Sequence, residues 1–274
     1  MSESGERIMS GSGRDRGRGR VALVTGGGSG IGEACAAVLA GDGWRVVVAD
    51  RNADAAAAVA AHIGGFALAF DVANAIETEA AAQECEAAIG PVAALVACAG
   101  VLQPPLPPED LDLAAFDQVM AVNLRGTYLS CTAFGARMAR RGSGAIVAIA
   151  SITASRAVPL HAYAPSKAAV VHMSACLAAE WARSGVRVNA VSPGFVATPP
   201  LQAAIDRGQR DPGALAGAAA MGRLVKAEEV ARAAAFLLSD EASAITGIDL
   251  PVDAGWLVGA HLGTYGGPRP PRQG

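Results

Sequence analysis

No sign of charge dominates this sequence. Its 274 residues carry 22 Lys and Arg against 25 Asp and Glu, interspersed, for a formal net charge of −3. That balance leaves no electrostatic footprint for nucleic acid and does not suggest another anionic partner. Metal-ligand patterns are missing too. Cys35, Cys85, Cys98, Cys131 and Cys176 are odd in number, form no C-x-x-C pair and have no histidines at ligand spacing. They read as small buried hydrophobes in a reducing, cytoplasmic compartment. Long apolar runs are also lacking. The nearest, ADAAAAVAAHIGGFALAF, contains Asp54, His62 and a Gly-Gly break, so it reads as an alanine-rich helix followed by a strand, not as a membrane span. Residues 1–19 are mostly Gly, Ser and Arg with almost no apolar content, and no apolar stretch of signal-peptide type follows them. A secretory signal is therefore not expected. The stretch reads as a disordered tail or cloning remnant, with a nucleic-acid arm as the sharper alternative.

What the sequence does contain is a rhythm. Apolar residues make up 52% of it, enough for one large α/β domain to bury a core without metal or disulfide. Short β-branched runs at 20–26, 45–50, 66–72, 94–100, 144–151, 186–194 and 247–253 alternate with helical patterns. The helices are expected at 31–41, after residue 50, and at 75–89, 113–140, 162–184 and 227–239, with 195–222 irregular. Strands apolar on both faces and separated by helices predict a doubly wound, Rossmann-type parallel sheet of about seven strands, covered on both sides. No linker divides residues 20–258, which are read as one domain followed by a C-terminal extension, 259–274. In such a sheet, ligands sit at the carboxyl ends of the strands.

The first of those ends is glycine-rich. VTGGGSGIGEA leads from a strand into a helix, with Gly26, Gly30 and Gly32 spaced G-x-x-x-G-x-G and Ser29 and Ile31 between them. The spacing allows a tight turn, close approach of backbone to a pyrophosphate, and free N–H groups at a helix start. Asp50 ends the second strand, eighteen residues after Gly32. A carboxylate there accepts both ribose hydroxyls and repels a 2′-phosphate, which favours NAD. Arg51, beside it, argues for NADP as the alternative.

A second cluster is HAYAPSKAAV, residues 161–170, which spends one of only three tyrosines in the chain four positions before a lysine. Tyr163 and Lys167 share one face of a helix, and Pro165 places them at its start. A nearby ammonium is expected to lower the phenol pKa from about 10 and make it a usable acid and base. Ser151 ends the preceding strand, where its hydroxyl reaches the same pocket, and Asn123 interrupts an apolar helix.

Together these stretches resemble the short-chain dehydrogenases/reductases of the single-domain type. The resemblance runs from about residue 20 to 258 and rests on TGGGSGIG, FDV (70–72), NLRG (123–126), Ser151, YAPSK (163–167) and SPGFVAT (192–198). It implies that Tyr163 donates and accepts the proton, that Lys167 tunes it and binds the nicotinamide ribose, and that Ser151 positions the substrate oxygen. Asn123 would hold a water linking Lys167 to solvent. Asp71 and Val72 would meet the adenine, Ala99 and Gly100 the ribose, and Pro193, Gly194, Val196 and Thr198 the nicotinamide side. One departure is Cys98, which stands where the family carries an asparagine that ties neighbouring strands. The resemblance also implies a homotetramer built through the helices near 113–140 and 163–184. The expected substrate is a small, mostly apolar secondary alcohol or ketone, with His161 and Arg156 as polar candidates in its pocket. A 3-oxoacyl reductase using NADP, or a dinucleotide-binding regulator without turnover, are the competing readings.

Overall fold

Each central strand sends alternate side chains to opposite faces of the sheet, and both faces are dry. In the computed structural model, which describes residues 16–259 and Gly267, Ala22 and Val24 point into one apolar cluster while Val21 and Leu23 point into another. The strands are β1 (Val21–Thr25), β2 (Arg45–Asp50), β3 (Phe66–Ala69), β4 (Val92–Ala97), β5 (Gly144–Ile149), β6 (Val186–Pro193) and β7 (Asp249–Val252). They form one parallel sheet in the order β3-β2-β1-β4-β5-β6-β7. The helices are α1 (Gly30–Gly41), α2 (Ala53–Ile63), α3 (Ala75–Ala88), α4 (Leu113–Val119), α5 (Thr127–Arg141), α6 (Tyr163–Trp181), α7 (Pro199–Asp206), α8 (Pro212–Gly217), α9 (Ala227–Leu238) and α10 (Trp256–Gly259). One cluster joins the sheet to α1, α2 and α9, and the other joins it to α3, α5 and α6. Phe134 is the one ring among the largest wholly buried side chains. The core is therefore aliphatic, with each fully buried Val or Leu contributing about 1.5–3 kcal/mol.

Local chemistry starts several of these helices. Asn52 accepts from Ala55 N at 3.1 Å to cap α2, Asn74 caps α3 and Asp112 caps α4, each worth about 1 kcal/mol. The start of α1 differs, because Ser29 makes no side-chain cap. Its first N–H groups are thereby left for another acceptor.

The chain lays down β1, β2 and β3 outward, then crosses back to place β4 on the other side of β1. That reversal opens a crevice at the carboxyl ends of β1 and β4, the place where such sheets bind ligands.

Several expected boundaries move. The helix predicted over 113–140 is interrupted by a wider, π-type turn at Met120–Gly126, and the stretch expected to be irregular, 195–222, contains α7 and α8. The tail predicted over 1–19 becomes packed at Arg16, which pairs with Asp42 at 3.2 Å and Glu241 at 2.9 Å. Earlier residues, and the C-terminal extension past Gly259 apart from Gly267, lie outside the described residues. Of the cysteines expected to be buried, Cys35, Cys85 and Cys131 are; Cys98 is half-buried and Cys176, on the outer face of α6, is exposed. Among the described residues no helix is long and apolar enough to cross a membrane.

Candidate active site

The loop after β1 forms a cradle with no room for a side chain at Gly26 or Gly32. Gly26 has φ +65°, and a Cβ there would sit 2.7 Å from Ala99 Cα, at the end of β4. At Gly32, a Cβ would fall inside the shell of Gly26 O. A Cβ on Gly30 (φ +57°) would meet only the Thr198 side chain, at 3.5 Å. The glycines thus let the start of α1 press against the loop, with its uncapped N–H groups open to an anion. Beside the loop lies a cleft of about 510 Å³, counting space open to solvent, lined by Gly26, Asp50, Arg51, Asp71, Val72 and Gly100 among others. Asp50 accepts from Gly28 N at 3.1 Å and Asn52 N at 2.9 Å. Its carboxylate is therefore fixed at the rim, while Arg51 is exposed. An anion-binding helix start, an open cleft and a fixed carboxylate fit an adenine dinucleotide.

Behind Gly100, which lines this cleft, the expected catalytic residues cluster. Lys167 is buried, and its Nζ donates to Ile149 O at 2.7 Å. The Nζ lies 5.6 Å from the centre of the Tyr163 ring. A Cβ built on Gly100 would be 3.6 Å from Lys167 Nζ and 3.3 Å from Asn123 Oδ1, so both side chains flank that glycine. Ser151 caps the turn after β5, and its hydroxyl also reaches the Tyr163 phenol. The electrostatics run opposite to the expectation that the ammonium depresses the phenol pKa. Burial raises the Tyr163 phenol above its ordinary value, and the Ser151 hydroxyl only partly offsets this. Burial also lowers Lys167 to about 8. At neutral pH the free site therefore holds a protonated phenol beside a lysine close to losing its own proton.

Asn123 is more firmly engaged than its place in an apolar helix suggested. The π-type turn swings it inward, where its Oδ1 accepts from Val101 N at 2.8 Å and its Nδ2 donates to Val101 O at 3.0 Å. This clamps the chain just past Gly100.

The family model described as Enoyl-(Acyl carrier protein) reductase matches residues 26–257. Over 88% of the chain and 94% of the relative, the sequence is 44% identical to D-threitol dehydrogenase of Mycolicibacterium smegmatis. It is 41% identical to galactitol 2-dehydrogenase of Rhizobium johnstonii over 87% of the chain and 95% of that protein. The chain belongs to the short-chain dehydrogenase/reductase family. Among solved structures, a protein of Brucella melitensis described as ribose-5-phosphate isomerase is 49% identical, with a TM-score of 0.92, covering 95% of this chain and all of that one. A 3-ketoacyl-(acyl-carrier-protein) reductase from Brucella melitensis complexed with NADH is 35% identical, with a TM-score of 0.81, over 88% of this chain and 99% of that one. As a short-chain dehydrogenase/reductase, the protein is an oxidoreductase of CH–OH groups that uses a nicotinamide coenzyme.

Some residues of the family pattern also make packing contacts of their own. Gly194 abuts Asp253, where a Cβ would lie 2.8 Å from its Cα. Pro193 ends β6, buried against β7. Val196 buries its side chain in the core and pairs with Val225. That pairing uses Phe195 O and Ala197 N, so only Val196's main chain can face the cleft. Thr198 alone of these four brings its side chain to the glycine loop. Cys98 does not leave the strands untied. Thr25, at the end of β1, ties it to β4 by accepting from Cys98 N at 3.1 Å and Ala99 N at 3.3 Å. Burial pushes the Cys98 thiol up to about 11, so it is a neutral filler. Arg156 is exposed and donates to Leu257 O at 3.2 Å, which binds the segment before α6 to α10. Sequence reasoning missed Thr25, whose type is ordinary at a strand end, and Gln103, which is buried though it lies in a Pro-rich loop.

Proposed function

We propose that the protein catalyses reversible, NAD-linked oxidation of a compact secondary alcohol, with Tyr163 moving the hydroxyl proton. The observation that carries this reading is the clustering of Ser151, Tyr163 and Lys167, with Lys167 beside Gly100 of the glycine-cradled cleft. When bound, the coenzyme supplies the hydride acceptor and a positively charged ring. In the direction of reduction, the protonated phenol of Tyr163 gives its proton to the substrate oxygen while Ser151 holds that oxygen. In oxidation the phenol first releases its proton, and Lys167, in its charged form, favours the phenolate. Asn123 fixes the chain at Gly100 and stands beside Lys167, where a water held by it would carry the released proton from the phenol by way of Lys167 to solvent. Val196 and Thr198 face the nicotinamide side, Asp71 and Val72 the adenine, and Ser29 with Ile31 the phosphates.

The preference for NAD rests on Asp50, fixed at the cleft rim where a 2′-phosphate would lie. Leu201 and Ile205 on α7, Leu215 on α8 and Met221 after it belong to the segment that follows Thr198, and as the cover of the substrate pocket they favour an apolar substrate, whereas the named relatives act on polyols. A panel running from 2-butanol to threitol spans both. Cytoplasmic placement is supported by five free cysteines. A homotetramer is supported by exposed Leu113 and Tyr128 on α4 and α5, and sedimentation as a monomer at micromolar concentration would remove it.

The deciding experiment is Tyr163→Phe with NAD and the alcohol panel. Loss of about 10²–10⁴-fold in kcat, with coenzyme affinity kept, is expected; retention of most of kcat refutes the role. The isomerase description of the 49% identical structure favours a second reading. Turnover of ribose 5-phosphate without added coenzyme would support it.

A further inference from the structure

We infer that Gln103 is a positioning residue for Tyr163: from the loop after β4 it holds the first turn of α6, and with it the phenol, in working position. The inference rests on the proton-transfer reading above. Helix α6 begins at Tyr163, and its cap position is Ala162, which has no acceptor to offer. A helix start needs partners for its first N–H groups. Here they come from a residue some sixty positions earlier in the chain. Gln103 Oε1 accepts from Ala162 N at 2.6 Å and from Tyr163 N at 2.9 Å. Both backbone groups are donors, so only the amide oxygen can face them, and this fixes the orientation of the side chain.

Gln103 is only 5% exposed. Its Nε2, turned from α6 by that constraint, has no partner among the described residues. Leaving a buried donor unpaired is unfavourable, and filling space alone would not require an amide here. Pro104 follows directly and keeps the Gln103 backbone extended. Val101, two residues earlier, is locked in both directions by Asn123. One short segment therefore links the clamp beside Gly100 to the backbone of Tyr163. A misplacement of about 1 Å at a reacting group can cost about 10²-fold in rate.

The test compares Gln103→Leu, which removes the acceptor at similar volume, with Gln103→Glu, which keeps an acceptor and removes the unpaired N–H. In Q103L, kcat is expected to fall about 10- to 100-fold and the solvent isotope effect on kcat to rise. The dissociation constant of NADH, followed by fluorescence, should stay within about threefold, because the coenzyme cradle is untouched. In Q103E, kcat should return to within about fivefold of the parent. Gln103→Met replaces Q103L if the latter does not fold. The inference is overturned if the acceptor-free variant keeps kcat within about twofold, or if Q103E is as impaired as Q103L. Tyr163→Phe measured alongside separates the two readings. An active Y163F removes the proton-transfer role itself, while an inactive Y163F beside an active Q103L removes only Gln103.

Discussion

Helix α1 contains two glycines with opposite expected responses to the same change. At Gly32, an added methyl lands on Gly26 O and lies 2.7 Å from Gly26 C and 3.1 Å from Gly27 Cα. Carbon atoms sit comfortably at about 3.5–4.0 Å, so the loop must retreat from α1 by about 1 Å. The opposing atoms are backbone, which cannot rotate away. Gly32→Ala is therefore placed at the upper end of the about 1–3 kcal/mol range for overpacking. For a chain of this size that corresponds to a fall of roughly 5–10 °C in Tm. The larger effect is on the cradle. A displacement of about 1 Å at the uncapped start of α1 should weaken NADH binding by about 100-fold. Gly41 ends the same helix with nothing within 4 Å of its would-be Cβ and an ordinary φ. Gly41→Ala should leave NADH binding unchanged and raise stability by about 0.4–1 kcal/mol. Fluorescence titration with NADH and thermal unfolding of both variants test the contrast. Full NADH affinity in Gly32→Ala would show that the cradle is not where the coenzyme binds.

Two further predictions concern charge. Lys167 is protonated up to pH about 10.4 when unfolded but only to about 8 in the fold. Between those values the unfolded chain binds more protons, so stability rises as pH climbs through the window, by on the order of 3 kcal/mol in all. Lys167→Met should flatten the Tm profile between pH 8 and 10; a variant profile parallel to the parent's would show that this lysine does not titrate there. Asp50→Asn removes the rim charge while keeping an acceptor for the loop. The ratio of kcat/KM for NAD over NADP is expected to fall about 10- to 100-fold, the worth of a hydrogen bond to a charged group, and a ratio unchanged within about twofold would take Asp50 out of coenzyme selection.

Much of the site was legible because its chemistry is local. Gly26, Gly30 and Gly32 stand in one turn, Tyr163 and Lys167 on one helix face, and Asp50 and Ser151 at strand ends, so spacing alone placed them. The sign of the Tyr163 shift was not legible, because burial of the phenol outweighs its neighbours and burial belongs to the whole fold. Nor was the inward swing of Asn123, which needs the π-type turn at Met120–Gly126. The packing of Pro193 on β7 and of Gly194 on Asp253 was not legible either, because those partners lie nearly sixty residues away in the chain.

By itself the sequence determined the strand and helix alternation, the two-faced apolar strands, and the glycine and Tyr-x-x-x-Lys motifs, because each is a pattern of near neighbours with its own period. Only the tertiary structure decided that Thr25 ties β1 to β4, that Arg16 closes the N-terminal edge, and that Gln103 caps α6. Each of these joins a side chain to a group at least twenty-six residues away, and such a partner is chosen by sheet order and burial, which no local pattern encodes.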